Sequence, residues 1–221
     1  MRTSYHEELD SILDSLVHMA ELVEVAIKDA SESLLTADLG RAESVITNDA
    51  ELDRMHEEME YKCLSILALQ APVAGELRTI VSAIRVVFEL ARMGDLAAHV
   101  AKIARLRYPE RAVPEEFEAS FREMADIAIE IIDQARVSLA QRDAKGAERL
   151  AEIDSRMDVL RRDQFTRMLA EGSTISIEGA VDVALLGRYF ERFADHAVAV
   201  GRRVIYIITG EVPEGEDWPN A

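Results

Sequence analysis

Leu186–Val200 reads LGRYFERFADHAVAV, and apolar or small residues recur at 183, 186, 190, 193, 197, 200, 204 and 207. Steps of three and four are the mark of one buried face on a long α-helix. Glu191 and Asp195 lie four apart just beside that stripe, so both carboxylates point to one side at the edge of the core. Two like charges in such a place repel each other and resist desolvation. Arginines, a shared proton or a cation must compensate them.

The same periodicity extends through the chain. Leu9, Ile12, Leu16, Met19, Val23, Ala26 and Ala30 mark a first helix to about Leu35, with Ser4 and Glu7 spaced as a capping box. A turn at 37–40, with Asp38 as cap, starts a second helix to about Leu69, and Pro72 and Gly75 break it. Ile80, Ile84, Val87, Ala91, Gly94, Ala98 and Ala101 define a third helix ending before Pro109. Then the pattern begins again. LVHMAELVEVAIKDASESLLTAD at 16–38 has its counterpart in FREMADIAIEIIDQARVSLAQRD at 121–143, an offset of 105. ARMGDLAAHV at 91–100 lies over ERFADHAVAV at 191–200, an offset of 100. The five-residue slip falls between helices, where length changes cost little. A fifth helix is expected over about 143–170 and a sixth over about 175–209, stopped by Gly210.

The expected fold is therefore all-α: two repeated three-helix bundles built from six long antiparallel helices. Residues 1–107 form the first repeat, 108–114 a linker, 115–210 the second repeat and 211–221 an acidic tail that carries Trp218. The repeats are related by a pseudo-twofold or by a simple translation.

Composition agrees with helices. Aromatics make up 5% of the 221 residues, and Gly and Pro are sparse. The net charge of −17 argues against a general nucleic-acid binder or a protein that adheres unaided to anionic lipid, while leaving a local basic face open. The single cysteine, Cys63, sits among core positions and has no intrachain partner for a disulfide. The start, MRTSYHEELD, has no signal-type segment and no membrane-spanning run occurs, so a soluble cytoplasmic protein is expected. No phosphate-cradling glycine loop, H-E-x-x-H, C-x-x-C or nucleophile turn is present, and no enzyme is expected.

The acids line up between repeats. Asp49 and Asp53 match Asp154 and Asp158 on the middle helices, while Asp95 matches Asp195 on the last helices, with Glu191 added in the second repeat. If the neighbouring helices face these acids toward each other, Asp154, Asp158, Glu191 and Asp195 form a cluster whose charge would cost several kcal/mol if uncompensated. An oxygen-preferring cation answers that cost, and a metal cluster of iron, zinc, manganese or magnesium is the expectation. Pairing with Arg156, Arg161, Arg188 and Arg192 is the alternative. In the first repeat His56 and His99 stand near Asp49, Asp53 and Asp95 and could complete a mixed site, or could simply bond neighbouring carboxylates; Glu89 lies off that face.

Leu90-Ala91-Arg92-Met93-Gly94-Asp95 with Ala97, and Phe190-Glu191-Arg192-Phe193-Ala194-Asp195-His196-Ala197, resemble the L-E-R-I-G-D-H-A signature that recurs once per three-helix repeat in the PhoU family, the phosphate uptake regulators of bacterial phosphate-specific transport. The resemblance covers about residues 5–209. It implies multinuclear metal binding by the E/D-x-x-x-D acids, at Asp49, Asp53 and Asp95 and at Asp154, Asp158, Glu191 and Asp195. Ala91 stands where the signature has glutamate, and His99 where the family usually has asparagine. The resemblance also implies a non-enzymatic adaptor that links the ATP-binding subunit of the phosphate transporter to a phosphate-sensing histidine kinase. Such a protein is often a homodimer and is held at the inner face of the membrane through its partners. A di-iron-like redox or storage bundle, or a metal-free structural scaffold, are the other readings; di-iron bundles require E-x-x-H pairs on two helices, which these positions lack.

Overall fold

The computed structural model describes the backbone of residues 2–211 and the side chains of residues 7–211. Its helices are α1 (Arg2–Thr36), α2 (Leu39–Gln70), α3 (Ala74–Arg107), α4 (Glu115–Gln141), α5 (Ala144–Glu148), α6 (Leu150–Met168) and α7 (Ile177–Thr209). α5 and α6 act as one helix with a weakened turn. Arg149 between them stays right-handed helical, and its N–H still donates to the Lys145 carbonyl at 3.4 Å. Six helices result, three in each half, as the periodicity requires. α1 starts at Arg2, ahead of the expected Ser4–Glu7 capping box, so that box does not set its start. Trp218 lies outside the described residues.

The repeat is visible in the helix ends. Ala37 and Arg142, 105 apart, both adopt left-handed backbone, with φ of 55° and 52°. The next residues, Asp38 and Asp143, both cap: Asp38 accepts from the Arg41 N–H at 3.0 Å and Asp143 from the Lys145 N–H at 3.1 Å. Each carboxylate satisfies a backbone donor that the helix start leaves orphaned. Asp38→Ala and Asp143→Ala are each expected to cost about 1 kcal/mol in urea unfolding, and Asn at either place to retain most of it. Equal stability of the Ala and Asn variants would show that the caps do not matter. Gly210 ends α7 with φ of 76°, its N–H donating to the Tyr206 carbonyl at 3.0 Å.

α3 and α7 share the largest helix–helix interface; α1 against α3, α1 against α4 and α4 against α7 close a ring of four. α2 lies outside the ring on α1 and α3, and α5–α6 lie outside it on α4 and α7. The direction of the central pair decides how the halves are related. Arg107 reaches Asp182, His99 stacks on Tyr189, Glu89 meets His196 and Arg78 reaches the Ile207 carbonyl. The partner number rises on α7 as it falls on α3, so the equivalent helices are antiparallel. A translation would leave them parallel; the relation is a pseudo-twofold.

The core runs through this ring without a break between repeats. Val183, Leu186, Phe190, Phe193, Ala197, Val200 and Val204 are all buried, which is the stripe expected for α7. Small residues let the outer helices approach. A Cβ on Gly201 would lie 2.5 Å from Leu150 Cδ1 and 3.0 Å from the Ala147 carbonyl oxygen, and one on Gly94 would lie 2.4 Å from Leu52 Cδ1. No described helix is long and apolar enough to cross a membrane.

Candidate functional site

In the second half α6 places Asp154 and Asp158 one turn apart, facing the turn of α7 that holds Glu191 and Asp195. Burial first, and then Asp158, Asp195 and Glu191, together push the Asp154 carboxyl up to about 6, with Arg202 opposing. Asp154 Oδ1 is buried without a hydrogen bond. Asp195 is also raised, by burial first and then by Glu191. The four acids are therefore close enough to feel one another, as the spacing implied.

They do not converge on a metal. Among the described residues no group of three or more His, Cys, Asp or Glu side chains is placed to hold a metal ion. The expected cluster of iron, zinc, manganese or magnesium is thus corrected for Asp154, Asp158, Glu191 and Asp195, and equally for Asp49, Asp53 and Asp95. The physical reason is arginine. Glu191 accepts from Arg188 Nη1 at 2.7 Å and has Arg161 Nε at 3.7 Å. Arg161 is buried, with its guanidinium 3.9 Å from the centre of the Phe165 ring. Asp158 is exposed and solvated. Arg156, another of the four arginines expected near these acids, turns instead to Glu130 at 2.7 Å.

The first half repeats the layout with different chemistry. Asp49 is half-buried and raised, by burial first, then by Asp95 and Asp53, with Lys102 opposing. Asp95 accepts from Arg92 Nη1 at 2.6 Å, and Asp53 is exposed. The further residues Glu89, His56 and His99 do not join these acids. Glu89 pairs across the seam with His196 Nδ1 at 2.6 Å. His56 meets the Phe88 ring edge-on at 6.4 Å, and His99 stacks on Tyr189 at 5.2 Å. Burial depresses the His99 imidazole, with Lys102 adding to it and Asp95 opposing.

The seam between the halves holds contacts that the sequence reading did not find. Arg107 grips the buried Asp182 with two hydrogen bonds, Nε to Oδ2 at 2.6 Å and Nη2 to Oδ1 at 3.1 Å, and also meets Glu178. With Glu89–His196 and His99–Tyr189 it ties α3 to α7 along their length. No local motif marks these pairs. Their signal lies in the antiparallel register, which becomes readable once the 100-residue offset is taken as a two-fold.

The chain matches the PhoU domain twice, over residues 16–104 and 121–204, so the two matches start 105 residues apart and end 100 apart. It is 45% identical over 213 residues to the phosphate-specific transport system accessory protein PhoU homolog 2 of Mycobacterium tuberculosis, covering 96% of this chain and all of that one. It is 43% identical over 217 residues to PhoU homolog 1 of the same strain, covering 98% of each. Among solved structures, PhoU from Pseudomonas aeruginosa superposes with a TM-score of 0.86 at 29% identity, over 94% of this chain and all of that one. With both repeats matched and near-complete relatives at this identity, the chain belongs to the PhoU family.

Proposed function

We infer that the protein is a non-enzymatic regulator of phosphate transport and phosphate signalling. The observation that carries this reading is the double family match over both repeats, joined to relatives named as accessory proteins of phosphate-specific transport. In the finer form of the reading, it links the transporter's ATP-binding subunit to a phosphate-sensing histidine kinase. It acts in the cytoplasm and is held at the inner membrane face through those partners. The division into 1–107 and 115–210, with 108–114 as linker and 211–221 as tail, is proposed as the functional unit structure, one signature motif to each half.

Deleting the gene is the direct test. In high phosphate, the deletion strain is expected to express phosphate-starvation genes at starved levels. M. tuberculosis carries two homologues of this chain, so the strain must lack any second copy. Normal repression in such a strain would overturn the regulator reading.

A further inference from the structure

In the first half α1, α2 and α3 surround a cavity of about 280 Å³. Leu22, Val25 and Ala26 of α1 and Val45 and Leu52 of α2 form its walls, with the buried Gly94 of α3 at its base. Three carboxylates also line it, and two of them are already engaged. Asp29 accepts from Arg41 Nη1 at 3.0 Å, and Glu51 pairs with Arg54 on its own helix. Asp49 has neither a hydrogen bond nor an ion pair among the described residues, and Lys102 acts on it only through space. Its Oδ1 would lie 3.4 Å from a Cβ on Gly94, which sets the carboxylate at the glycine base. Its raised carboxyl agrees: an ionised Asp49 needs more counter-charge than Lys102 supplies.

The second half builds the same three-helix junction without the hollow. At the places 105 residues on, a fully buried Ile131 stands for Ala26, and Ile153, packed against the core, stands for the exposed Asn48 that lines the cavity. Ala194, 100 residues on from Gly94, adds a methyl group at the base. The mouth differs as well. Glu130 and Arg156 occupy the places of Val25 and Glu51 and join α4 to α6 through an ion pair at 2.7 Å. In the first half Glu51 turns to Arg54 instead, and Val25 is left 57% exposed. One copy is filled and bridged; the other is open, with a carboxylate at its base. The fold is thus able to close this space, and the first half leaves it vacant.

We propose that this cavity binds an organic monocation, an ammonium or guanidinium group on a short aliphatic stem, with its charge on Asp49 and its stem between α1 and α2. Size limits the stem. Pockets for drug-sized ligands hold roughly 300–1,000 Å³, so about 280 Å³ suits a chain of a few carbons. Charge selects the head group. An anion would meet Asp29, Asp49 and Glu51, and a neutral apolar molecule would dehydrate Asp49 and leave it unpaired. A hard metal ion needs several oxygen ligands, and here one carboxylate is free above apolar walls. Free alkyl amines and the side chains of Lys and Arg share the required chemistry.

Backbone amide NMR shifts of the full-length chain, titrated with butylguanidine, test this. Saturable shifts are expected at Val25, Asn48 and Asp49, with a Kd on the order of 1 mM for a ligand of so few atoms. Asp49→Asn should weaken binding about tenfold, because it removes the charge and keeps the shape. Ala26→Ile, which installs the second half's side chain, should abolish the shifts. Should that variant fail to fold, Val25→Glu with Glu51→Arg rebuilds the second half's ion pair over the mouth at two exposed positions. It too should weaken binding about tenfold. N-acetyl-arginine amide distinguishes the sources: binding as tight as butylguanidine's supports a protein side chain as occupant, and binding about tenfold weaker supports a free amine. Butanol that shifts the same amides with equal affinity would overturn the proposal, since Asp49 would then play no part. Unchanged butylguanidine binding in Asp49→Asn and in the mouth variant would overturn it, as would the absence of saturable shifts. Magnesium chloride that shifts these amides where butylguanidine does not would give Asp49 to a metal ion and overturn it as well.

Discussion

Phe190→Ala is expected to lower the stability of the whole chain by about 3–5 kcal/mol. Phe190 is fully buried on α7, with its ring 6.1 Å from that of Phe121 on α4 and tilted by 52°. Truncation removes the transfer free energy of the ring and leaves a cavity that the surrounding helices fill only in part. The neighbours on each side belong to the closed ring α1–α3–α7–α4, so collapse into the hole would have to move two helices together. For a chain of this length the loss corresponds to roughly 10 °C in Tm. Phe190→Leu should cost less than about 1.5 kcal/mol, because the cavity is far smaller. The pseudo-symmetric position in the first half, Leu90, is itself a fully buried leucine. Urea denaturation with an unchanged m-value is the measurement. A cost below about 1 kcal/mol for Ala would mean that α7 and its neighbours are not close-packed around this ring.

The two halves differ at three matched positions in an instructive way. Arg161 and Arg188 converge on Glu191 in the second half. At the matched places of the first half, His56 meets Phe88 edge-on and Ala91 replaces the glutamate. The same helix–helix contact is made once with ions and once with aromatic rings. A guanidinium pair needs a carboxylate beside it when it is half-desolvated, whereas an imidazole against a phenyl ring needs none. The loss of the acid at Ala91 and the loss of the arginines are therefore one change, not two.

This also explains what could be read from the sequence and what could not. The α7 stripe, the cap at Asp38 and the stop at Gly210 are local, and each reports its helix from a few neighbouring residues. The repeat offset carried the architecture further, to three helices per half. The acid pairs were legible as crowded carboxylates, and the raised Asp154, Asp195 and Asp49 agree with that. Their compensation was not legible. Whether a carboxylate meets a metal or an arginine depends on which residue the facing helix presents, and spacing along one helix does not say. Arg188 reaches Glu191 from three residues away on the same helix, while Arg161 arrives from α6. The Glu89–His196 pair was hidden for the same reason: its members lie 107 residues apart and meet only because α3 and α7 run in opposite directions.

The acid raised most by burial and crowding should leave its mark on stability against pH. Asp154 has a folded-state carboxyl pushed from the ordinary 3.8 up to about 6, by burial first and then by Asp158, Asp195 and Glu191. Its folded state therefore holds a proton more tightly than its unfolded state. The stabilising contribution is full below about 3.8 and is lost as pH rises through about 6, so the ionised carboxylate weakens the fold at neutral pH. Half-exposure to solvent screens part of that penalty, which leaves on the order of 1–2 kcal/mol. Asp154→Asn keeps the shape and removes the charge. It is expected to be more stable than the wild type by that amount at pH 8 and equal to it near pH 4, with the difference growing mainly between pH 4 and 6.5. Asp158→Asn, at an exposed position, should act in the same direction with a smaller effect, since it removes only the charge that crowds Asp154. The difference between variant and wild-type curves is the proper quantity, because Asp49 and Asp195 are raised as well and titrate in both proteins. Urea midpoints at half-unit steps of pH, converted with a common m-value, would give that difference directly. A difference curve that stays flat from pH 4 to pH 8 would mean that Asp154 is solvated as well in the folded chain as in the unfolded one, and the crowded acid edge would lose its energetic meaning.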